Sequence, residues 1–173
     1  MPSFGEMLAA SCDIGVGYGE RLLADVSADT FGSFARPGGQ LVESNHPAFI
    51  YGHLSLYACR VIKQLGEDST AWEPSDEFVK HFSHEAKCID DPDNSIYPSM
   101  DEVTGKFFDG YRRASEVLRS ADDALFLQEN PNEGMRPKFP TMGAMHGFYV
   151  GGHVMMHVGQ LSAWRRAMGL GPA

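Results

Sequence analysis

Two histidines, His153 and His157, lie four residues apart near the end of this 173-residue chain. In an α-helix that spacing places both side chains on one face, about 40° and roughly 6 Å apart. Two neutral imidazoles in this arrangement can bind one transition metal ion. Val154 stands where a His-Glu-x-x-His metalloprotease carries its general base, so the segment is not that motif. A metal site here needs a third ligand from elsewhere in the chain.

His53 is the best candidate for the third ligand. It lies in a predicted helix whose apolar stripe includes Phe49, Leu56 and Tyr57 at helical spacing. The histidine pair also falls on the apolar stripe of its own predicted helix. Three inward-facing imidazoles without nearby carboxylates are costly to bury unless their nitrogens are bound. We therefore predict a metal site, although chance placement among seven histidines is the simpler alternative.

Four further residues are candidates for a substrate pocket or for hydrogen bonds to the ligands. Tyr57 and Arg60 follow on the second predicted helix and could orient or charge-pair a substrate. A core role for Tyr57, and a surface or dimer contact for Arg60, are the simpler interpretations. Gln160 could bond to a ligand or be purely structural. His146 lies two turns before the pair, too far to share its metal, but it could line a pocket.

The hydrophobic periodicity predicts helices and gives no period-2 strand pattern. The predicted helices cover about residues 3–24, 45–65, 75–84, 99–120 and 141–168. Asn45 is the expected N-cap of the second long helix, which leaves His46 exposed, and Ser99 with Glu102 forms an expected capping box. Glycines in the first helix weaken it and favour close helix approach or a kink. The predicted fold class is all-α: a four-helix bundle with long crossover connections, as a single domain over 1–173.

Other metal chemistries do not fit the sequence. A di-iron bundle needs two Glu-x-x-His motifs on separate helices, and only Glu43 to His46 matches, across a helix start. Val150 and Val154 stand where such glutamates would precede the histidine pair. Covalent haem requires Cys-x-x-Cys-His, which is absent from the sequence. The methionines of the predicted helices are better explained by core packing than by copper binding.

The composition excludes several kinds of partner. A formal net charge of −9 disfavours nucleic acids and anionic membranes. The sequence has no apolar run of about 18–20 residues and no signal-peptide pattern at residues 1–6. Three widely spaced cysteines, Cys12, Cys59 and Cys88, argue against a disulfide framework. We therefore expect a cytoplasmic protein with no membrane or nucleic-acid partner.

The chain resembles the DinB-like (DinB/YfiT) superfamily in two segments. These are Gly52-His53-Leu54 and residues 153–166, which read HVMMHVGQLSAWRR. The family pattern has one histidine on the second helix, then His-x-x-x-His-x-Gly-Gln-Leu and a basic residue on the fourth. The resemblance implies an up-down-down-up four-helix bundle, often dimeric. It also implies a divalent metal, zinc or nickel, on His53, His153 and His157.

Characterised members of that superfamily include thiol S-transferases, which use mycothiol, bacillithiol or glutathione-type thiols, and a maleylpyruvate isomerase. The leading hypothesis is therefore a metal-dependent enzyme that activates a thiol or water for attack on a small electrophile. Its expected partners are a small-molecule substrate, a low-molecular-weight thiol and a second copy of the chain. Two alternatives stay open: a non-catalytic metal-binding bundle, and a helical dimer without metal. The glycine-rich first helix and the long 67–98 connection depart from many members, which leaves the substrate class open.

Overall fold

A computed structural model describes residues 2–173, and over that range the protein is all-α, as predicted. In chain order the helices are α1 (Phe4–Leu22), α2 (Pro47–Gln64), α3 (Asp76–Phe82), α4 (Met100–Ser120), α5 (Asp123–Leu127), α6 (Met142–Gly147) and α7 (His153–Ala167). A π-helical turn, Phe148–Gly152, joins α6 to α7, so residues 142–167 form one continuous helical segment. Residues 2–173 contain no strand, and their β-pairing is limited to two isolated bridges.

The helix ends agree with the sequence patterns except at the start of α2. The predicted N-cap Asn45 and the predicted exposure of His46 are both wrong. His46 is the cap: its Nδ1 accepts the Phe49 N–H at 3.3 Å, and the side chain is fully buried. Its Nε2–H donates to the Ile89 carbonyl at 2.9 Å. A neutral imidazole that uses both nitrogens can be buried without loss of hydrogen bonds, which helical periodicity alone does not reveal.

Capping by hydroxyl side chains follows the expected chemistry. Ser99 accepts the Glu102 N–H at 3.2 Å and begins α4. The reciprocal capping box is complete at the start of α1, where Ser3 and Glu6 bond to each other's backbone N–H groups. Each such cap satisfies backbone donors that have no partner inside the helix.

The glycines of α1 allow close approach to another helix and do not break α1. A Cβ at Gly15 would lie 2.9 Å from Val154 Cγ1, and one at Gly19 would lie 3.6 Å from Val158 Cγ1. Any larger side chain at Gly15 would force α1 away from α7. The packing that this approach permits offsets the roughly 1 kcal/mol cost of each mid-helix glycine.

Each long helix packs against two of the others around one continuous hydrophobic core. Residue numbers rise in the same direction on both helices of the α1–α7 pair, where Gly15 contacts Val154 and Gly19 contacts Val158. The same holds for α2 and α4, where Tyr51 contacts Phe107 and Ala58 contacts Gly110. Contacts between α1 and α4, and between α2 and the last segment, run in opposite directions, as in Gly5–Leu118 with Gly19–Phe107, and Asn45–Gln160 with Tyr57–Tyr149. The helices are therefore parallel within the first two pairs and antiparallel within the other two.

Arg165 has a role that its position in the last turn of α7 did not indicate. Its side chain is only 1% exposed. Its Nη1 donates to the Leu22 carbonyl at 2.8 Å and also to the Ala24 carbonyl. Arg165 thus satisfies carbonyls at the end of α1 that have no partner within that helix.

Within residues 2–173, no helix is both long enough and apolar enough to cross a bilayer.

Replacing Arg165 should destabilise the fold far more than replacing its neighbour. We expect Arg165→Met to lower the free energy of unfolding by about 2–4 kcal/mol, because buried carbonyls lose their donors. Arg166→Met, at an exposed position of the same turn, should cost less than about 1 kcal/mol. Urea denaturation of both variants measures the difference, and equal losses would contradict the role given to Arg165.

His46 should make stability depend on pH in a predictable direction. Burial lowers the pKa of His46 to about 4, against 6.5 for the unfolded residue. Below pH 6.5 the unfolded state binds a proton that the folded state excludes. The free energy of unfolding therefore decreases as the pH is lowered, by at most about 1.4 kcal/mol per pH unit. His46→Asn keeps a capping oxygen but cannot titrate. The stability gap between the parent and this variant should therefore narrow from pH 6.5 towards pH 5; a constant gap would refute the prediction.

Candidate metal centre

The structure brings His53, His153 and His157 together at the contact between α2 and α7. The Nε2 of His153 lies 3.2 Å from the Nε2 of His53 and 3.1 Å from the Nε2 of His157. All three side chains are buried, with 6%, 5% and 8% of their surface exposed, respectively. One ligand atom from each residue lies within 4.8 Å of the others. This group could hold a metal ion.

The two separations between His153 Nε2 and its neighbouring Nε2 atoms fit a tetrahedral ion. Zinc–nitrogen bonds of about 2.0–2.1 Å at tetrahedral angles place two ligand nitrogens about 3.3–3.4 Å apart. The 3.2 and 3.1 Å separations are within a few tenths of an ångström of that value. The donor set is also suitable, because neutral imidazole is a preferred ligand of zinc, nickel and copper.

The outer nitrogen of His53 is held by the chain segment before α4. His53 Nδ1–H donates to the Phe82 carbonyl at 2.8 Å, at the C-terminal end of α3. Gly52 makes this possible, because a Cβ there would lie 2.4 Å from two Phe82 ring atoms. A carbonyl oxygen can only accept, so the proton of the neutral imidazole is on Nδ1. The Nε2 lone pair of His53 is therefore free to bind a cation.

Gln160 holds His157 in the same way. His157 Nδ1 and Gln160 Oε1 are 3.0 Å apart, and Asn45 Nδ2 donates to the same oxygen at 3.0 Å. The bond from Asn45 fixes the amide orientation, so Gln160 presents its oxygen to the imidazole. His157 therefore carries its proton on Nδ1 and directs the Nε2 lone pair at His153. Asn45 therefore does not cap a helix, and its side chain orients the Gln160 amide toward His157.

His153 cannot satisfy the cluster by itself. Its neutral ring carries one proton, whereas its Nε2 faces two lone pairs, those on the Nε2 atoms of His53 and His157. Its buried Nδ1 has no hydrogen-bond partner among the described residues. A proton on Nδ1 leaves three lone pairs facing one another, whereas a proton on Nε2 leaves the buried Nδ1 lone pair unbonded. A cation bound by all three Nε2 atoms removes that repulsion. The residues present therefore fit a divalent metal.

Burial keeps these imidazoles neutral near pH 7. Desolvation, with smaller contributions from the charges of its neighbours, lowers the pKa of His153 to about 3. The same cause lowers the pKa of His157 to about 4, and it also lowers the pKa of His53. Neutral imidazole is the form that binds metals, so at neutral pH the three rings need not lose a proton to solvent before they bind one.

The remaining candidate residues divide into two groups. Tyr57 is half-buried, with its ring 5.2 Å from that of His53 and 4.4 Å from that of His153. Arg60 is exposed and its guanidinium lies 4.9 Å from the Tyr57 ring centre. His146 is fully buried and bonds through Nε2 to Gln64 Oε1 at 2.9 Å. The structure thus places Tyr57, Arg60 and Gln160 beside the cluster, and it gives His146 contacts other than the three histidines.

Two features of the site were not identified from the sequence. One is the Phe82 carbonyl, supplied by the long 67–98 connection whose α3 packs on α2. The other is the π-helical turn Phe148–Gly152, which ends directly before His153. Such turns occur often at functional sites, and the pair Gly151-Gly152 was the available signal. The methionines of the predicted helices were expected to pack in the core, but Met156 is 51% exposed because the π turn shifts the helical register.

The three histidines line none of five cavities found in the described part of the chain. Rings of Phe49, Tyr57 and Phe148 lie against the histidines instead. Access to the cluster is therefore through the small exposed fraction of the histidines themselves.

Comparisons of the chain with protein-family models, with curated proteins and with solved structures found no match. What is shown is an all-helical protein with a buried cluster of three histidines that could hold a metal ion. The DinB-like resemblance stays a prediction that rests on the histidine motif and its surroundings.

The acceptor at Gln160 should control metal affinity. We expect Gln160→Leu to weaken zinc binding about 10- to 100-fold, because His157 loses the bond that fixes its orientation. Gln160→Glu keeps an acceptor oxygen and should retain near-parental affinity. Competition with a chromogenic chelator measures both. Parental affinity in Gln160→Leu would show that the hydrogen bond does not orient the ligand.

Proposed function

We propose that this protein is a metal-dependent enzyme in which His53, His153 and His157 bind one divalent ion, zinc or nickel. The bound ion would activate a thiol or water for attack on a small electrophile, as in a thiol S-transferase. The observation that carries the proposal is the convergence of three Nε2 atoms, two of them with outer nitrogens held by Phe82 and Gln160. Three protein ligands leave a fourth position open, which is typical of catalytic sites.

A divalent ion held by three neutral imidazoles supplies Lewis acidity, which lowers the pKa of a water or thiol that binds it. The chain's own residues position and enclose the reactants. The Phe82 carbonyl and the Gln160 amide fix two imidazoles, and the aromatic rings exclude water. Tyr57 remains protonated, because burial raises the pKa of its hydroxyl. That hydroxyl makes no hydrogen bond to another described residue, so we propose that it donates to an oxygen of the substrate.

We further propose that the chain is a DinB-like single domain with an up-down-down-up four-helix bundle. The helix contacts support that topology, because α1 runs parallel to α7 and antiparallel to α4, while α2 runs parallel to α4. The last segment counts as one helix in this topology, and α3 and α5 belong to the crossover connections. The hydrophobic core, continuous among these helices, supports a single domain.

The expected partners and compartment are also proposals. A small-molecule substrate and a low-molecular-weight thiol follow from the reaction class. A homodimer is supported by exposed apolar side chains on adjacent helices, Ile14 of α1 and Met155 of α7. The three cysteines are free thiols, which agrees with a reducing cytoplasm. Burial raises the pKa of Cys12 to about 12 and that of Cys88 to about 11, so neither supplies a reactive thiolate.

The alternative function is a non-catalytic metal-binding bundle. It is favoured by one observation: the histidines are nearly enclosed by aromatic rings, and they line none of the five cavities. In that case the ion would connect α2 to α7 and stabilise the fold without any reaction.

Metal analysis of the purified protein separates both metal functions from a metal-free helical dimer. We expect stoichiometric zinc or nickel in the parent protein and its loss in His157→Ala, because two histidines alone bind weakly. His84→Ala, which removes an exposed histidine, should keep the metal. A parent protein that stays metal-free after incubation with Zn²⁺ and Ni²⁺ would contradict both.

Turnover distinguishes the enzyme from the structural bundle. A chromogenic halonitroarene, incubated with the metal-loaded protein and glutathione or cysteine, should lose halide at a rate that depends on the protein. His53→Ala should lower that rate by at least about 100-fold, with His84→Ala again as control. A rate that is indifferent to His53→Ala would argue for the non-catalytic alternative.

A further inference from the structure

Two positively charged side chains cover aromatic rings that contact His153. The Arg60 guanidinium lies 4.9 Å from the Tyr57 ring centre. The Lys138 Nζ lies 5.0 Å from the Phe148 ring centre. Both side chains are exposed and come from different parts of the chain, α2 and the connection before α6.

The two covered rings are the direct neighbours of the central histidine. The Tyr57 ring meets His153 edge-on with 4.4 Å between ring centres, and the Phe148 ring stacks on it at 5.3 Å. Each cation is therefore separated from His153 by a single aromatic ring.

Neither cation has an acidic partner. No carboxylate of residues 2–173 lies within 4.0 Å of either side chain, although acidic residues outnumber basic ones, 23 to 14. Other basic residues do pair with acids, among them Arg36, Lys63, Arg113, Arg119 and Arg136. The centre thus has positive surroundings in an acidic protein.

We propose that the site takes an anionic reactant, a small molecule that carries a carboxylate beside its thiol or its electrophilic carbon. This inference rests on the proposed function. Three neutral imidazoles leave the charge of a divalent ion uncompensated, and Arg60 and Lys138 add to it. A carboxylate bound near these cations compensates this charge, and the guanidinium of Arg60 can bind it through two N–H groups.

The test uses three thiols that differ mainly in charge. The protein is loaded with Co²⁺, whose thiolate charge-transfer absorption reports binding without any turnover. Mercaptoacetate, 2-mercaptoethanol and cysteamine carry a negative, a neutral and a positive group beside the same thiol. We expect mercaptoacetate to bind most tightly and cysteamine least, with about a threefold to tenfold effect for each cation at low ionic strength.

Variants assign that preference to the two side chains. Arg60→Gln and Lys138→Gln should each reduce the ratio of mercaptoacetate affinity to 2-mercaptoethanol affinity, and Arg60→Lys should retain most of it. Arg21→Gln and Lys106→Gln are matched controls, because those cations cover the rings of Tyr18 and Phe78. The controls make the same change in net charge and should leave the ratio unaltered.

The outcomes separate this inference from the function on which it rests. Equal affinities for the three thiols, or equal ratios in all four Gln variants, overturn the anionic reactant and leave the metal centre intact. Failure of the parent protein to bind Co²⁺ overturns both. A charge preference that disappears only in Arg60→Gln and Lys138→Gln supports both.

Discussion

The need to bury three imidazoles at one helix contact constrains most of this structure. Each ring needs a defined tautomer, since a buried nitrogen without a partner is destabilising. Phe82 and Gln160 define the tautomers of His53 and His157. Among the three rings, His153 is then the one whose Nδ1 has no hydrogen-bond partner, and its Nε2 faces the Nε2 lone pairs of the other two. A cation bound by all three Nε2 atoms would remove the repulsion between these lone pairs.

Small residues place the helices close enough for these contacts. Gly52 lets the Phe82 ring lie against α2, which brings the Phe82 carbonyl to His53. Gly15 lets α7 approach α1, and Arg165 binds the carbonyls at the end of α1 from the far end of α7. The position of α7, and with it that of the histidine pair, therefore depends on contacts that the histidines themselves do not make.

The sequence predicted those parts of the site that helical periodicity controls. The spacing of His153 and His157, and the apolar stripe around His53, were enough to predict that the three would meet. Contacts between segments distant in the chain could not be predicted in this way. Phe82 contributes a backbone carbonyl, and any residue type could supply one. His46 was wrongly predicted to be exposed, because its burial depends on a hydrogen bond from its Nε2 to the distant Ile89 carbonyl. The π turn shifted the register of the stripe and exposed Met156.

The chemistry open to this centre follows from what surrounds it as much as from its ligands. A His-Glu-x-x-His site places a carboxylate base beside its metal, whereas this chain has Val154 there, fully buried against α1. No acidic residue is among the groups whose charges act on the three histidines. Without a carboxylate base, the site cannot rely on protein-assisted deprotonation of a poor nucleophile. A reactant that is already acidic, such as a thiol, needs less assistance than water does, which favours the thiol among the two proposed nucleophiles.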